Sequence, residues 1–259
     1  MLLAINIGNS NIVCGGYTDD GKLSFCTKLY SDSALSSDEL TYKIISLLDL
    51  YGVSPLEITD AILSSVVPAL TPRVREAIGK LSQAPLMTVG PGLKSGVRIR
   101  MDNPAQLGGE LLCAAISALR LAKPPLVVMT ADTAVTMLAI DGAGSIVGGA
   151  ILPAPQLALA ALVRNTAQLP QVELESRPKG ILGSNTVDSL QSGIVNGSAS
   201  MLEGMIARFR QALDAPEAPV IATGALPGSI REACSVPILY RETLILDGLY
   251  AIWRRNTRR

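Results

Sequence analysis

Residues 3–11 read Leu-Ala-Ile-Asn-Ile-Gly-Asn-Ser-Asn. The apolar start predicts a buried strand, Gly8, Asn9 and Ser10 predict a turn, and the apolar run resumes at Ile12, Val13 and Cys14, so the stretch is a hairpin with a glycine-permissive, amide-rich tip. Backbone N–H groups freed by Gly8, with the Asn9 amide and the Ser10 hydroxyl beside them, make a concavity able to cradle phosphate. The same residues also make an ordinary hairpin turn, and local sequence leaves both readings open.

Working outward, Lys22 to Tyr30 continues as a third antiparallel strand after an Asp19-Asp20-Gly21 turn. Ser36 and Glu39 form a capping-box pair, and Leu40, Ile44, Leu47 and Leu48 come after them at helical spacing. Ala61 to Val67 suits a central strand covered on both faces, and Leu70, Val74, Ala77, Ile78 and Leu81 line the helix after it. Strand and helix alternate, so the fold class is α/β. After a turn-rich loop from Gly90 to Gly96, Asn103 and Pro104 predict the start of a helix whose apolar face is Leu107, Leu111, Leu112, Ala115 and Leu119. Glu110 falls on its flank, as either a solvated helix residue or a catalytic base.

Lys123, Pro124 and Pro125 break the chain, and the residues after them repeat the opening pattern. Leu126 to Met129 is a buried strand, Thr130 to Thr133 interrupts it, Ala134 to Ile140 resumes it, Asp141 to Gly144 turns, and Ile146 to Leu152 is a third strand. Two halves with one pattern, 1–122 and 123–259, predict an internal duplication with equivalent hairpin tips facing one cleft. Further on, Ala158 to Val163 is a short apolar helix, Gln171 to Asn185 a long loop, and Thr186 to about Gln211 a helix carrying Gly193, Gly197 and Gly204. Those glycines cost about 1 kcal/mol each relative to alanine unless close packing compensates, which predicts a helix pressed against them, from this chain or a second subunit. Pro219 to Ala225 is a buried strand ending in a glycine turn, a strand-end position suited to a nucleoside. The last helix holds Leu244, Leu249, Ile252 and Trp253, and the tail arginines Arg254, Arg255, Arg258 and Arg259 read as favourable charge at a helix C-terminus.

Composition limits the function. Hydrophobic residues make up 48% and charged residues 17%, against roughly 25% charged in ordinary soluble domains. Twenty-two basic residues balance 22 acidic ones, so nothing draws the protein to nucleic acid or an anionic membrane, and small molecules or other subunits are the expected partners. With no histidine, every imidazole mechanism is excluded and the commonest zinc ligand is missing. Cys14, Cys26, Cys113 and Cys234 lack metal or redox spacing and read as small core residues. No leader or spanning segment is evident, and a cytoplasmic protein is expected.

The ordered set Asn-Ile-Gly-Asn-Ser-Asn from Asn6, Gly-Pro-Gly-Leu-Lys-Ser-Gly from Gly90, Asp-Asn-Pro-Ala-Gln-Leu-Gly from Asp102, Gly-Gly-Ala-Ile-Leu-Pro from Gly148, Gly-Ser-Asn-Thr-Val-Asp from Gly183 and Val-Ile-Ala-Thr-Gly from Val220 resembles type III pantothenate kinases over essentially the whole chain. The resemblance implies two actin-like (ribonuclease H-like) domains, each a mixed five-stranded sheet with helices on both faces. It further implies a homodimer with active sites at its interface, and transfer of the γ-phosphoryl group of ATP to pantothenate with Mg²⁺ and a monovalent cation (K⁺ or NH₄⁺) and no covalently bound cofactor.

Carried over residue by residue, the resemblance places Asn6, Gly8, Asn9, Ser10, Asp132, Thr133 and Gly224 at the nucleotide, Met101, Gly108, Leu111 and Thr186 at pantothenate, Asn6, Thr130 and Asp132 at the cations, and Glu110 as the base. The chain departs from the family at charged positions. Asn6 and Thr130 stand where the family has Asp, Glu110 replaces an Asp, Leu111 an Arg and Met101 a Tyr. An amide contributes no net charge toward Mg²⁺, and the loss of Arg removes bidentate carboxylate recognition. Three readings remain open: a pantothenate kinase of weak or lost activity, a non-catalytic binding or regulatory homologue that forms a homodimer or pairs with an active paralogue, and a kinase for another small hydroxyl metabolite.

Overall fold

The computed structural model describes residues 1–257, so Arg258 and Arg259 of the predicted cationic tail lie outside the described residues. Two compact units are present. One comprises Met1–Gly96, Asp102–Ser117 and the segment from Thr243 onward, the other Val97–Met101 and Ala118–Glu242. The division expected at 122/123 falls in the loop after the helix that links them. Each unit holds one five-stranded mixed sheet.

In the first unit, β1 (Leu2–Ile7), β2 (Asn11–Tyr17) and β3 (Leu23–Tyr30) form the antiparallel opening. β4 (Asp60–Ser65) pairs parallel with β1, and the short β5 (Leu86–Thr88) pairs parallel with β4, giving the order β3-β2-β1-β4-β5. β1 is buried along its whole length, as a strand covered on both faces must be. Leu3, Ile5, Ile7, Ala61 and Leu63 pack against Leu40, Ile44 and Leu48 of α1 (Ser37–Leu50) and Val74, Ala77 and Ile78 of α2 (Thr71–Leu81). Each such leucine or isoleucine stabilises by about 1.5–3 kcal/mol when fully buried. The predicted capping box at α1 is formed: the Glu39 N–H donates to Ser36 Oγ at 3.2 Å, and the Ser36 N–H donates to Glu39 Oε2 at 2.8 Å.

The opposite face is covered by α7 (Leu244–Thr257), which packs on β1, β2 and β4, and α3 (Gly109–Leu121) crosses α7. Two expectations for α3 fail. Pro104–Gln106 is a separate 3-10 turn capped by Asn103, and the helix begins only at Gly109. Nor does a leucine stripe line its buried face: Cys113, Ala114, Ala115, Ile116, Ser117 and Ala118 are buried, while Leu111, Leu112 and Leu119 are half-buried. The reason is a close crossing. A Cβ on Gly248 of α7 would lie 2.0 Å from the Cys113 carbonyl oxygen, so only small residues fit there.

The second unit repeats the plan. β6 (Leu126–Ala131), β7 (Ala134–Ile140) and β8 (Ile146–Pro153) are antiparallel, and β9 (Val220–Gly224) and β10 (Ile238–Tyr240) add in parallel, in the order β10-β9-β6-β7-β8. Even the irregularities correspond: the β2–β3 ladder shifts register between Gly16 and Tyr17, the β7–β8 ladder between Ala139 and Ile140, each at the last residue of its strand. The predicted duplication is thus found: each half holds a five-stranded mixed sheet built in the same order. One correction concerns the second hairpin, where Thr130 and Ala131 stay in β6 and the break shrinks to Asp132 and Thr133. Val127, Met129 and Ala131 pack on α4 (Pro155–Asn165), α5 (Thr186–Ala212) and α6 (Gly228–Ala233) through Leu159, Leu190, Ile194, Leu202, Ile206 and Ile230.

The glycines of α5 do not behave as predicted within this chain: a Cβ on Gly193 or Gly197 would meet no atom within 4 Å. No described helix presses on them. The α5 N-terminus is capped by Asn185, whose side chain accepts from the Asp188 N–H at 2.9 Å.

The β7–β8 turn supplies a pH-dependent element. Asp141 Oδ1 accepts from the Ser145 and Ala143 N–H groups at 2.8 and 3.0 Å, and Oδ2 faces Arg100 at 3.3 Å. The Ser145 N–H, the Ala143 N–H and the Arg100 charge hold the carboxyl below its usual range. A depressed folded-state value means stability that is present above the unfolded value of about 3.9 and is lost as pH falls through the lower folded value. Thermal melts from pH 6 to pH 2 are expected to fall less steeply for Asp141→Asn than for the unmodified chain. Parallel curves would contradict this.

Candidate functional site

The first hairpin tip is closed by its own backbone. The Gly8 N–H donates to the Asn11 carbonyl at 2.9 Å, so it is not freed for a ligand as the sequence suggested. Ser31, just past β3, secures the tip from the side: its N–H donates to the Ser10 carbonyl at 3.0 Å and its hydroxyl to the Gly8 carbonyl at 2.6 Å. Asn9 is exposed and Ser10 half-buried at the rim.

Asn6 sits below the tip, near the C-terminal end of β1, and is buried. Its neighbour across the parallel β1–β4 ladder is Ser64, buried as well. Neither Asn6 Oδ1 nor Ser64 Oγ has a hydrogen-bond partner. Ser64 was missed by sequence reasoning, although the polar pair Ser64-Ser65 closing an apolar strand was a visible signal.

The turn 103–108 delivers the next residues. Asn103 caps the 3-10 turn by accepting from the Ala105 N–H at 3.2 Å, and the chain then bends into α3 through Gly108 and Gly109, both half-buried. A Cβ on Gly109 would come within 2.9 Å of Ser64 Oγ and 3.1 Å of Val89, so the helix start lies directly on the β4 end. Glu110 and Leu111 occupy the first turn and are half-buried, so Glu110 is not the fully solvated residue of the alternative reading. One turn on, burial first and the Glu110 carboxylate second push the Cys113 thiol far up, and burial pushes Cys14 up to about 12. Both cysteines are inert core residues, as expected from their spacing.

In the second unit, β6 and β9 bring Thr130, Asp132, Thr133 and Gly224 to one sheet end. Thr130 is buried in β6 opposite Thr136 and beside Thr223. The Asp132 N–H donates to the Ala134 carbonyl at 2.9 Å, closing the tip, and Thr133 is exposed. Gly224 has φ +91°, and a Cβ there would fall 2.0 Å from the Ala131 carbonyl oxygen. Its glycine is therefore demanded by β6 itself, whether or not a nucleoside binds. Met101 is not with this group. It ends a strip held against the start of β8, where the Arg100 N–H donates to the Ile146 carbonyl at 2.8 Å, whereas the Asp132 tip adjoins Pro153 at the other end of β8. Thr186 opens α5 and is exposed.

The Asn6 and Ser64 side chains at the β1 end offer a divalent cation no carboxylate. Among the described residues no three Asp, Glu, Cys or His side chains gather as a metal site. At the β1 end the available oxygens belong to an amide and a hydroxyl, neither of which matches the carboxylates that hold Mg²⁺. No helix among the described residues is long and apolar enough to cross a membrane.

Residues 2–208 match the family described as type III pantothenate kinase. A protein named type III pantothenate kinase from Rhodospirillum centenum is 36% identical over 263 residues, and one from Bifidobacterium adolescentis is 34% identical over 258, each with 100% of both chains covered. In structure, the activator of the 2-hydroxyisocaproyl-CoA dehydratase from Clostridium difficile, solved with bound ADPNP, superposes with a TM-score of 0.57 at 9% identity, covering 98% of this chain and 93% of its own. That last likeness concerns the fold alone.

Proposed function

This chain belongs to the type III pantothenate kinase family, and from that membership we propose that it keeps the family's small-molecule binding role while phosphoryl transfer to pantothenate is weak or lost. The observation that carries the reading is Asn6, a buried amide with an unpartnered oxygen where the resemblance places a cation-handling carboxylate. Phosphoryl transfer depends almost entirely on positioning and on neutralising charge. Leu111 and Thr130 remove charge at two further family positions, so the deficit is shared by the ATP end and the pantothenate end. What remains is a scaffold: the Gly108–Gly109 bend, the two closed hairpin tips and the exposed Thr186 at the α5 start.

Under this reading the protein acts as a binding or regulatory subunit, either as a homodimer or with an active paralogue. The open Gly193 and Gly197 positions, with Ile181 and Leu182 exposed nearby in sequence, support a subunit contact on α5. A second reading, a rewired kinase with Glu110 as base and Asp132 toward the cations, is favoured by the half-buried carboxylate that opens α3. A kinase assay decides between them. At high protein concentration with Mg-ATP, K⁺ or NH₄⁺ and pantothenate, ADP release is expected to stay near background. Turnover of about 1 s⁻¹ or more, the range of competent kinases, would overturn the binding reading.

A further inference from the structure

The loop Gly90–Gly96 is held by another element. A Cβ on Gly90 or Gly92 would meet no atom within 4 Å, and Gly92 and Gly96 have φ of +95° and +79°. Inside the loop the Leu93 N–H reaches the Gly90 carbonyl at 3.4 Å, a long bond. Glycine-rich chain of this kind loses much conformational entropy when it is kept in one place.

The last turn of α7 supplies the hold. Asn256 turns its side-chain amide to the backbone of Lys94: the Lys94 N–H donates to Asn256 Oδ1 at 3.1 Å, and Asn256 Nδ2 donates back to the Lys94 carbonyl at 3.2 Å. The same Nδ2 donates to the Ile252 carbonyl at 2.8 Å, so the amide is oriented by its own helix. A carboxamide carries the donor and the acceptor of a peptide group, and it completes this pair of bonds where a carboxylate, which only accepts, cannot. One residue back, the Arg255 guanidinium fills the space beside Gly96 that a Cβ would occupy. Both Asn256 bonds run to backbone atoms and Lys94 is exposed, so the hold is independent of the lysine side chain.

The other end of the loop starts at the candidate site. Val89 comes immediately before Gly90. Its N–H donates to the Leu63 carbonyl of β4 at 2.8 Å, and its Cγ1 lies 3.1 Å from where a Cβ on Gly109 would sit. Val89 is therefore a wall for the first residue of α3, and Glu110 and Leu111 follow in the same turn.

We propose that Asn256 and Arg255 form a latch on the Gly90–Gly96 strap. Engaged, it draws the strap onto α7 and keeps Val89 against the start of α3; released, it frees the strap and loosens the turn that carries Glu110 and Leu111. Asn256 is thus a positioning residue that acts through Lys94 and Val89. Its two bonds to Lys94 are exposed, which puts the latch among the parts of the protein that open locally before the core does.

The test is hydrogen exchange, read by mass spectrometry on the full chain without ligand, so its outcome is independent of whether pantothenate is phosphorylated. Asn256→Ala is expected to speed exchange at the Lys94 amide about tenfold or more, as loss of its acceptor requires. It is also expected to speed exchange at Val89 and Leu112, whose N–H groups donate to Leu63 and Gly108, by about threefold or more. Asn256→Asp, which keeps the acceptor and loses the donor, should fall between Asn256→Ala and the unmodified chain. Lys94→Ala should change none of these amides. In every variant the amides of β6 and β9 should exchange at the unmodified rate, and trypsin should cut after Lys94 faster in Asn256→Ala. Unchanged exchange at Lys94 in Asn256→Ala overturns the proposal. So does a rise confined to the loop with Val89 and Leu112 unmoved, since the tie would then be local only, and so does a rise that extends to β6 and β9, which would be general destabilisation.

Discussion

Asn6→Asp combined with Leu111→Arg and Thr130→Asp is expected to raise ATP-dependent phosphorylation of pantothenate at least about a hundredfold over the unmodified chain, read as ADP release with Mg²⁺ and K⁺ supplied. The magnitude comes from how much a single preorganised electrostatic group contributes to a transition state, about 10²–10³ in kcat. Asn6→Asp alone is expected to give only part of the gain, because groups that act together on one reaction are strongly non-additive. The sign of the pH dependence is fixed by burial. Position 6 is 3% exposed, so the introduced carboxyl is desolvated and its pKa raised. Activity of the variant should therefore increase with pH until that group ionises, and added Mg²⁺ should move the rise to lower pH. A folded triple variant that is no faster than the unmodified chain would show that activity was lost at other positions.

The parts of the fold legible in the sequence are those written as long periodic runs. β1, β3 and β6 to β8 were each readable within about two residues, and β2 at its start, because apolar strands bounded by Gly, Asn and Asp turns repeat twice. The capping box at Ser36 announced α1 for the same reason. β5 and β10 were not legible: each has three residues, pairs in parallel at a sheet edge, and lacks an alternation long enough to stand out. α3 was misread because its burial comes from a helix crossing distant in sequence, where alanine and cysteine, not leucine, are the residues that fit. At the site, glycine and asparagine showed where the tips are, but not that Gly8 spends its N–H within the hairpin. Hydrogen-bond use is a property of closed geometry, and composition does not reveal it. Ser64, one of the polar pair that closes β4, became a site residue only when the ladder placed it beside Asn6.

The crossing of α3 and α7 carries the largest expected stability effect. A Cβ on Gly248 would lie 2.0 Å from the Cys113 carbonyl oxygen, 2.5 Å from its carbon and 2.7 Å from its Cα. These are backbone atoms of α3, so no rotamer change relieves the overlap and the two helices must separate. Overpacking of this kind typically costs about 1–3 kcal/mol, occasionally more, and a clash with backbone belongs at the upper end. Alanine in place of glycine inside a helix returns about 1 kcal/mol of propensity, which is too little to offset it. Gly248→Ala is therefore expected to lose about 2 kcal/mol or more, seen as a lowered midpoint in urea with an unchanged slope. Gly193→Ala, where nothing lies within 4 Å, is the comparator and should be neutral or stabilising by up to about 1 kcal/mol. Because α3 also holds Glu110 over the β1–β4 end, the displaced helix in Gly248→Ala should weaken ligand binding even where the protein remains folded. Equal midpoints for the two alanine variants would mean that α3 and α7 do not cross at this separation.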